Sequence, residues 1–115
     1  MTDTLGETAD ALPGVPLWVT ENGAAYADRV VDGEIYDPDR ISYLTGHLNA
    51  VADAIDHGID VRGYCCWSLL DNLEWAEGRT QTFGIVHVNP ETMERTPKAS
   101  YHFYSAVARG VEAGD

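Results

Sequence analysis

Residues 37–67 read DPDRISYLTGHLNAVADAIDHGIDVRGYCCW, and the change of pattern within this stretch decides the fold. Ile41, Leu44, Leu48, Val51 and Ile55 follow one another at steps of 3, 4, 3 and 4, the spacing that lines up side chains on one face of a helix. Asp37 before Pro38 is a start signal: aspartate suits the N-cap, and proline, lacking an N–H, suits the first turn. His57-Gly58 supplies the stop. The pattern predicts a helix over 38–57. After it the period changes, and Val61 to Trp67, VRGYCCW, reads as a short strand.

Upstream, Val15 to Thr20, VPLWVT, is a continuous apolar and β-branched run. It fits a strand buried on both faces, as in a parallel sheet. It ends in the polar, turn-forming Glu21-Asn22-Gly23. Residues 24–36 show no clean period and read as loop. The first twelve residues carry a weak helical pattern, Leu5, Ala9 and Leu12, broken by Pro13-Gly14.

Downstream, Ser68 opens a polar loop that runs to about Thr82. Phe83 to Val88, FGIVHV, suggests a short third strand, followed by a turn at Asn89-Pro90. Thr96-Pro97 repeats the cap-then-proline signature, so Lys98 to Arg109 reads as a last helix, stopped by Gly110. The order strand, loop, helix, strand, loop, helix argues for α/β units with parallel strands. Two such units cannot close a sheet, whereas a complete (β/α)8 barrel takes about 250 residues. The expectation is a fragment of such a barrel.

The chain has 115 residues, with 19 acidic against 7 basic side chains and a net charge of −12. Nucleic acid and anionic membrane surfaces repel such a polyanion, so neither is expected as a partner. No apolar run approaches the roughly 20 residues of a membrane helix. The acidic N-terminus lacks the positive and apolar regions of a secretory signal, which makes cytoplasmic the expected location. Cys65 and Cys66 are adjacent, poorly placed for a mutual disulfide, and read as small buried hydrophobes in a reducing compartment. His47, His57, His87 and His102 have no metal-ligand spacing, and Asp53, Asp56 and Asp60 read as a solvated face. Neither metal nor cofactor is expected.

In α/β folds the working residues gather at the carboxyl ends of parallel strands. The first such end is Thr20-Glu21-Asn22-Gly23, where Glu21 is either poised for chemistry or tied into a structural ion pair. The second is Trp67 to Trp75, WSLLDNLEW. Sugars offer C–H faces that stack on indoles, and hydroxyls that bond carboxylates and amides. The alternative is that Trp67 and Trp75 are core residues and Glu74 is solvated.

VTENG at 19–23, RGYCCWSLLDNLEW at 62–75, FGIVHV at 83–88 and TPKASYHFY at 96–104 together resemble the C-terminal end of glycoside hydrolase family 1, in particular its bacterial β-glucosidases. The blocks stand in order and in register over about residues 13–110. The resemblance implies that residues 1–115 are a C-terminal piece of a TIM-barrel domain, its strands seven and eight with their helices. It implies hydrolysis of terminal β-D-glucosyl residues, as in β-glucosides or cello-oligosaccharides, with retention by double displacement. On this basis Glu21 is the expected nucleophile. Glu74 holds the sugar's 4- and 6-hydroxyls, Trp75 donates to a hydroxyl, Trp67 is the stacking platform, and Phe83 lines the same pocket. Asn22 and Ser68 are supporting residues, and the Trp67–Ser68 peptide is expected to be cis.

A retaining mechanism also needs an acid about 5–5.5 Å from the nucleophile. The family carries it in an Asn-Glu-Pro motif that does not occur in these 115 residues. The expectation is therefore a chain that is inactive alone, partnered by the missing N-terminal barrel segment or by copies of itself. Arg79 and Thr82 depart from the family pattern, as do Cys65, Cys66 and Leu73. Two other readings stand beside the main one: an inert, self-associating or weakly sugar-binding fragment, and a 6-phospho-β-glucosidase. Glu74 counts against the latter, because a carboxylate repels a phosphate.

Overall fold

A computed structural model describes residues 1–72 and 81–110. The elements are α1 (Thr2–Ala11), β1 (Leu17–Asn22), α2 (Pro38–Asp56), β2 (Val61–Cys66), β3 (Val86–Val88), β4 (Arg95–Pro97) and α3 (Ala99–Ala108). β1 and β2 are adjacent and parallel, joined through α2, while β3 and β4 form an antiparallel pair. The helix expected over 38–57 is present, with Pro38 in its first turn and Gly58 at positive φ just beyond its end. The weak N-terminal pattern is a real helix, α1, anchored by Leu5.

Leu5 of α1 and Val51 and Ala54 of α2 form a buried apolar cluster, and Leu17, Val19, Val61 and Tyr64 of the sheet pack against it. Val61 and Tyr64 are three apart, so strict alternation would put them on opposite faces. An extra residue in β2, between the Leu17–Val61 and Trp18–Gly63 pairs, shifts the phase and turns both toward the helices. β1 was expected to be buried on both faces. Among the described residues helices cover one of its faces, and Trp18 on that strand is 61% exposed.

Three other boundaries differ from expectation. β1 starts at Leu17 rather than Val15, with the Leu17 amide bonded to the Asp60 carbonyl, and it extends through Glu21 and Asn22. β3 is confined to 86–88. The backbone of Phe83 to Ile85 is engaged elsewhere: the Ser68 amide donates to Phe83, and the Ile85 amide donates to Ser68.

The third concerns Thr96-Pro97, which does not cap α3. Both residues belong to β4, where Pro97 pairs with Val86, and Lys98 is the N-cap. The first amides of α3 are satisfied from far along the chain, Ala99 by the Ile35 carbonyl and Ser100 by the Asp37 carboxylate. Asp37 does occupy the N-cap of α2, but its side chain caps none of that helix's amides: Oδ1 accepts the Ser100 amide of α3, and Oδ2 accepts the Arg40 guanidinium. Within the expected loop 24–36, Asp32-Gly33 makes a tight turn between Val31 and Glu34, with both central residues at positive φ. Such a turn follows from an Asp-Gly pair.

Candidate active site

Because β1 and β2 are parallel neighbours, their carboxyl ends lie side by side, and so do the two stretches singled out in the sequence. The junction is tied by backbone. The Trp67 amide donates to the Asn22 carbonyl at 2.9 Å. A Cβ on Gly23 would stand 1.8 Å from the Trp67 carbonyl oxygen, so only glycine permits this approach. The Trp67–Ser68 peptide is cis.

The register shifts again between Val19 and Asn22, at Thr20 and Glu21. Asn22 is thereby turned toward α2. The Tyr64 hydroxyl donates to Asn22 Oδ1 at 2.6 Å, and Asn22 Nδ2 donates to the Tyr43 hydroxyl at 3.3 Å. The Tyr64 phenol is a protonated donor at neutral pH, as any tyrosine is, and burial pushes its pKa further up. Tyr43 in turn stacks on His47, with ring centroids 4.0 Å apart. Asn22 is thus gripped on both sides of its amide. The Glu21 side chain beside it is exposed and makes no ion pair among the described residues.

Trp67 is 41% exposed, so its indole is not consumed by a core. Ser68 is buried, its hydroxyl donating to the Leu70 carbonyl at 2.9 Å. From Ser68 the chain runs alongside Phe83 to Val86: Ile85 donates to Ser68, Val86 to Leu69, and Asp71 to the Val86 carbonyl. Phe83 is half-buried next to this ladder. The structure therefore gathers Glu21, Asn22, Trp67, Ser68 and Phe83 at one end of the sheet. Glu74 and Trp75 lie outside the described residues.

Sequence reasoning missed the polar centre beneath these loops. Lys98 is 0% exposed and Arg40 1%. Lys98 Nζ donates to Asp28 Oδ2, Asp71 Oδ1 and the Gly84 carbonyl, and Arg40 donates to Asp28, Asp37 and the Thr82 carbonyl. Burial alone would raise the Asp28 carboxyl, but the hydrogen bonds from Arg40 and Lys98 outweigh it and hold it below its ordinary range. Burial likewise opposes the Arg40 charge, and Asp28 and Asp37 more than restore it. His87 Nδ1 stands 3.3 Å from Asp71 Oδ2. The sequence offered one local hint, Arg40 three residues after Asp37.

An open cleft of about 190 Å3 lies above this centre, walled by Tyr26, Tyr36 and Arg40, and among the described residues none of the sugar candidates lines it. The cysteines are both free. Cys65 is exposed, contrary to expectation, because it faces away from the helices; Cys66 is half-buried, and burial raises its thiol.

The geometry can be set against known proteins. The sequence profile of glycosyl hydrolase family 1 matches residues 3–112. A bifunctional β-D-glucosidase/β-D-fucosidase of Bifidobacterium breve is 49% identical over 107 residues, which is 89% of this chain and 23% of that protein. A β-glucosidase of an Agrobacterium species is 46% identical over 115 residues, 100% of this chain and 24% of that protein. Among solved structures, the psychrophilic β-glucosidase BglU of Micrococcus antarcticus superposes with a TM-score of 0.90 at 43% identity, over 96% of this chain and 24% of its own. The family 1 β-glucosidase of Thermotoga maritima gives 0.92 at 39% identity, over 99% and 26%. These are TIM-barrel enzymes, and the chain spans about a quarter of their length as a piece of such a barrel. The chain belongs to glycosyl hydrolase family 1.

Proposed function

We propose that this chain supplies strands seven and eight, with their helices, to a family 1 barrel that works as a retaining β-glucosidase. β1 and β2 are the two strands, and residues 1–115 form a single piece of the catalytic domain. The observation that carries the reading is the junction of the two strand ends, where Asn22 and Gly23, next to Glu21, are locked against Trp67.

In this reading the Glu21 carboxylate attacks the anomeric carbon and displaces the aglycone. The resulting glycosyl-enzyme ester is then opened by water, regenerating Glu21. The clamp on Asn22 by Tyr64 and Tyr43 fixes the backbone from which Glu21 projects, so little orientation is lost on binding. Trp67 offers an indole face to the C–H side of the sugar, Phe83 closes the pocket wall, and Glu74 and Trp75 take hydroxyls. Ser68 and Asn22 serve by holding the loops. The acid that protonates the leaving oxygen comes from another segment of the barrel. The named activities of the relatives, β-D-glucosidase and β-D-fucosidase, support neutral β-glycosides as the substrate class. A Glu74 carboxylate disfavours 6-phosphoglycosides.

The test completes the barrel by co-expressing this chain with the preceding three quarters of the Agrobacterium relative. A 2-deoxy-2-fluoro-glucoside with a dinitrophenyl leaving group, which departs without protonation, should leave an adduct that maps to Glu21 by intact and peptide mass. Glu21→Gln should lower turnover of an aryl glucoside by roughly four orders of magnitude. A completed barrel whose turnover is unchanged by Glu21→Gln refutes the assignment.

A further inference from the structure

The buried ammonium of Lys98 has no part in the chemistry proposed above, yet it occupies the centre of the loops that carry it. Its three hydrogens find three acceptors, Asp28 Oδ2 at 2.6 Å, Asp71 Oδ1 at 2.7 Å and the Gly84 carbonyl at 2.6 Å, with Thr82 Oγ1 at 3.4 Å. Asp71 Oδ1 also accepts the Gly84 amide at 3.1 Å. Gly84 is therefore held at both its N–H and its C=O. A Cβ there would stand 2.3 Å from the Asp71 amide nitrogen and 2.5 Å from its Oδ1, so the two backbones meet as closely as they can.

Asp71 ends the run that begins at Trp67, and Gly84 follows Phe83. One ammonium thus spans the two segments that bear the aromatic candidates. The same contacts tie down the chain on both sides of 72–81, at Asp71 and at Thr82 and Gly84. A buried charge is poor value for stability alone, since apolar residues of similar volume often do as well or better. What it provides is direction, because three short bonds from one nitrogen fix where the segments sit.

We propose that Lys98 is a positioning residue for the sugar subsite, setting the relative placement of Trp67 and Phe83 through Asp71 and Gly84. This rests on the reading of those two aromatics as sugar contacts. Lys98 touches no substrate. Its removal frees Asp71 and Gly84 and loosens the ladder from Ser68 to Val86, so the subsite loses its fit to the transition state while Glu21 keeps its own clamp at Asn22.

Amide hydrogen exchange on the full chain reads the clamp directly. In Lys98→Met, the amides of Asp71, Gly84 and Ile85 should exchange about tenfold faster or more, while those of Leu44 to Ala54 in α2 stay protected. Asp71→Asn keeps an acceptor for Gly84 but loses the ion pair. It should show the same local pattern more weakly, and it carries the test if Lys98→Met does not fold. Unchanged exchange in both variants, uniform loss that includes α2 in both, or no protection at these amides in the unsubstituted chain would each overturn the proposal.

In the completed barrel, Asp71→Asn should lower kcat/KM for an aryl glucoside by roughly a hundredfold, with a raised KM taking a share. A merely structural role would reduce the active fraction and leave KM alone. Unaltered KM and kcat in a barrel that Glu21→Gln silences would also overturn it. Exchange reports on the clamp and Glu21→Gln on the chemistry, so the two proposals fail separately.

Discussion

Helix α2 joins two regions that are held together in opposite ways. Its C-terminal half contributes Val51 and Ala54 to an apolar cluster with Leu5, closed by Leu17, Val19 and Tyr64 from the sheet. Its first turn contributes Arg40 to a centre of buried charge, three carboxylates (Asp28, Asp37 and Asp71) around two cations, Arg40 and Lys98. The apolar cluster is non-directional and sits under regular elements whose geometry hydrogen bonding already sets. The charged centre sits under irregular loops, where only directional contacts can specify position. The candidate active site stands at the border of the two: Glu21 rises from the first region, and Trp67 and Phe83 hang over the second.

The largest expected difference comes from removing the centre of the ionic side. Lys98→Met leaves Asp28 and Asp71 buried without their shared cation, and the free energy of local opening read from amide exchange at Asp71 and Gly84 should fall by about 3–5 kcal/mol. A loss below about 1 kcal/mol would mean that the charged centre holds nothing together. On the apolar side Val51→Ala removes part of a buried side chain, and about 1.5–3 kcal/mol should go with it. Its exchange signature should spread over α1, α2 and the sheet while leaving Ser68 to Val86 protected, the reverse of the Lys98 pattern. Identical patterns for the two variants would erase the distinction.

Acid separates the regions without mutation. Asp28 has a folded pKa below its ordinary value of 3.8, because hydrogen bonds from Arg40 and Lys98 outweigh the upward push of burial. Its contribution is complete above that ordinary value and is lost as pH falls through the lower folded one. Circular dichroism from about pH 5 downward should therefore show stability falling with a slope that Asp28→Asn makes shallower. An equally steep fall in the variant would place the acid-sensitive group elsewhere. The smallest effect belongs to the exposed pair of Arg62 on β2 and Asp60 just before it, at 3.0 Å. Arg62→Ala should leave the Tm unchanged in scanning calorimetry, since solvent screens such a pair.

The regular half was legible in the sequence because its physics is local. α2 could be read from its 3-4-3-4 apolar steps, its Asp37-Pro38 start and its His57-Gly58 stop. The two parallel strands and their catalytic-looking ends followed from short apolar runs and from a fourfold block resemblance. Even there the phase of β1 was hidden. A continuous apolar run such as VPLWVT carries no alternation, so nothing in it shows that the register slips at Thr20 and Glu21 and turns Asn22 toward Tyr43 and Tyr64. The Asp32-Gly33 turn is equally local, since an Asp-Gly pair favours the positive φ that both residues adopt.

The charged half was not legible, for a reason of distance along the chain. Lys98 meets Asp28 across 70 residues and Asp71 across 27, and Asp37 caps α3 across 63. Each of these residues has an ordinary local explanation, a helix cap or a solvated charge, and local rules prefer it. Thr96-Pro97 looked like the start of α3 for the same reason, until the amides of Ala99 and Ser100 found Ile35 and Asp37 instead. Sequence alone determined the family, the helix, the parallel pair and the identity of the side chains at its ends, because periodicity and contiguous motifs survive in one dimension. Only the tertiary structure decided which way Asn22 faces, what caps α3, and which ammonium the site loops close upon. Those outcomes depend on groups that approach one another only after the chain has folded.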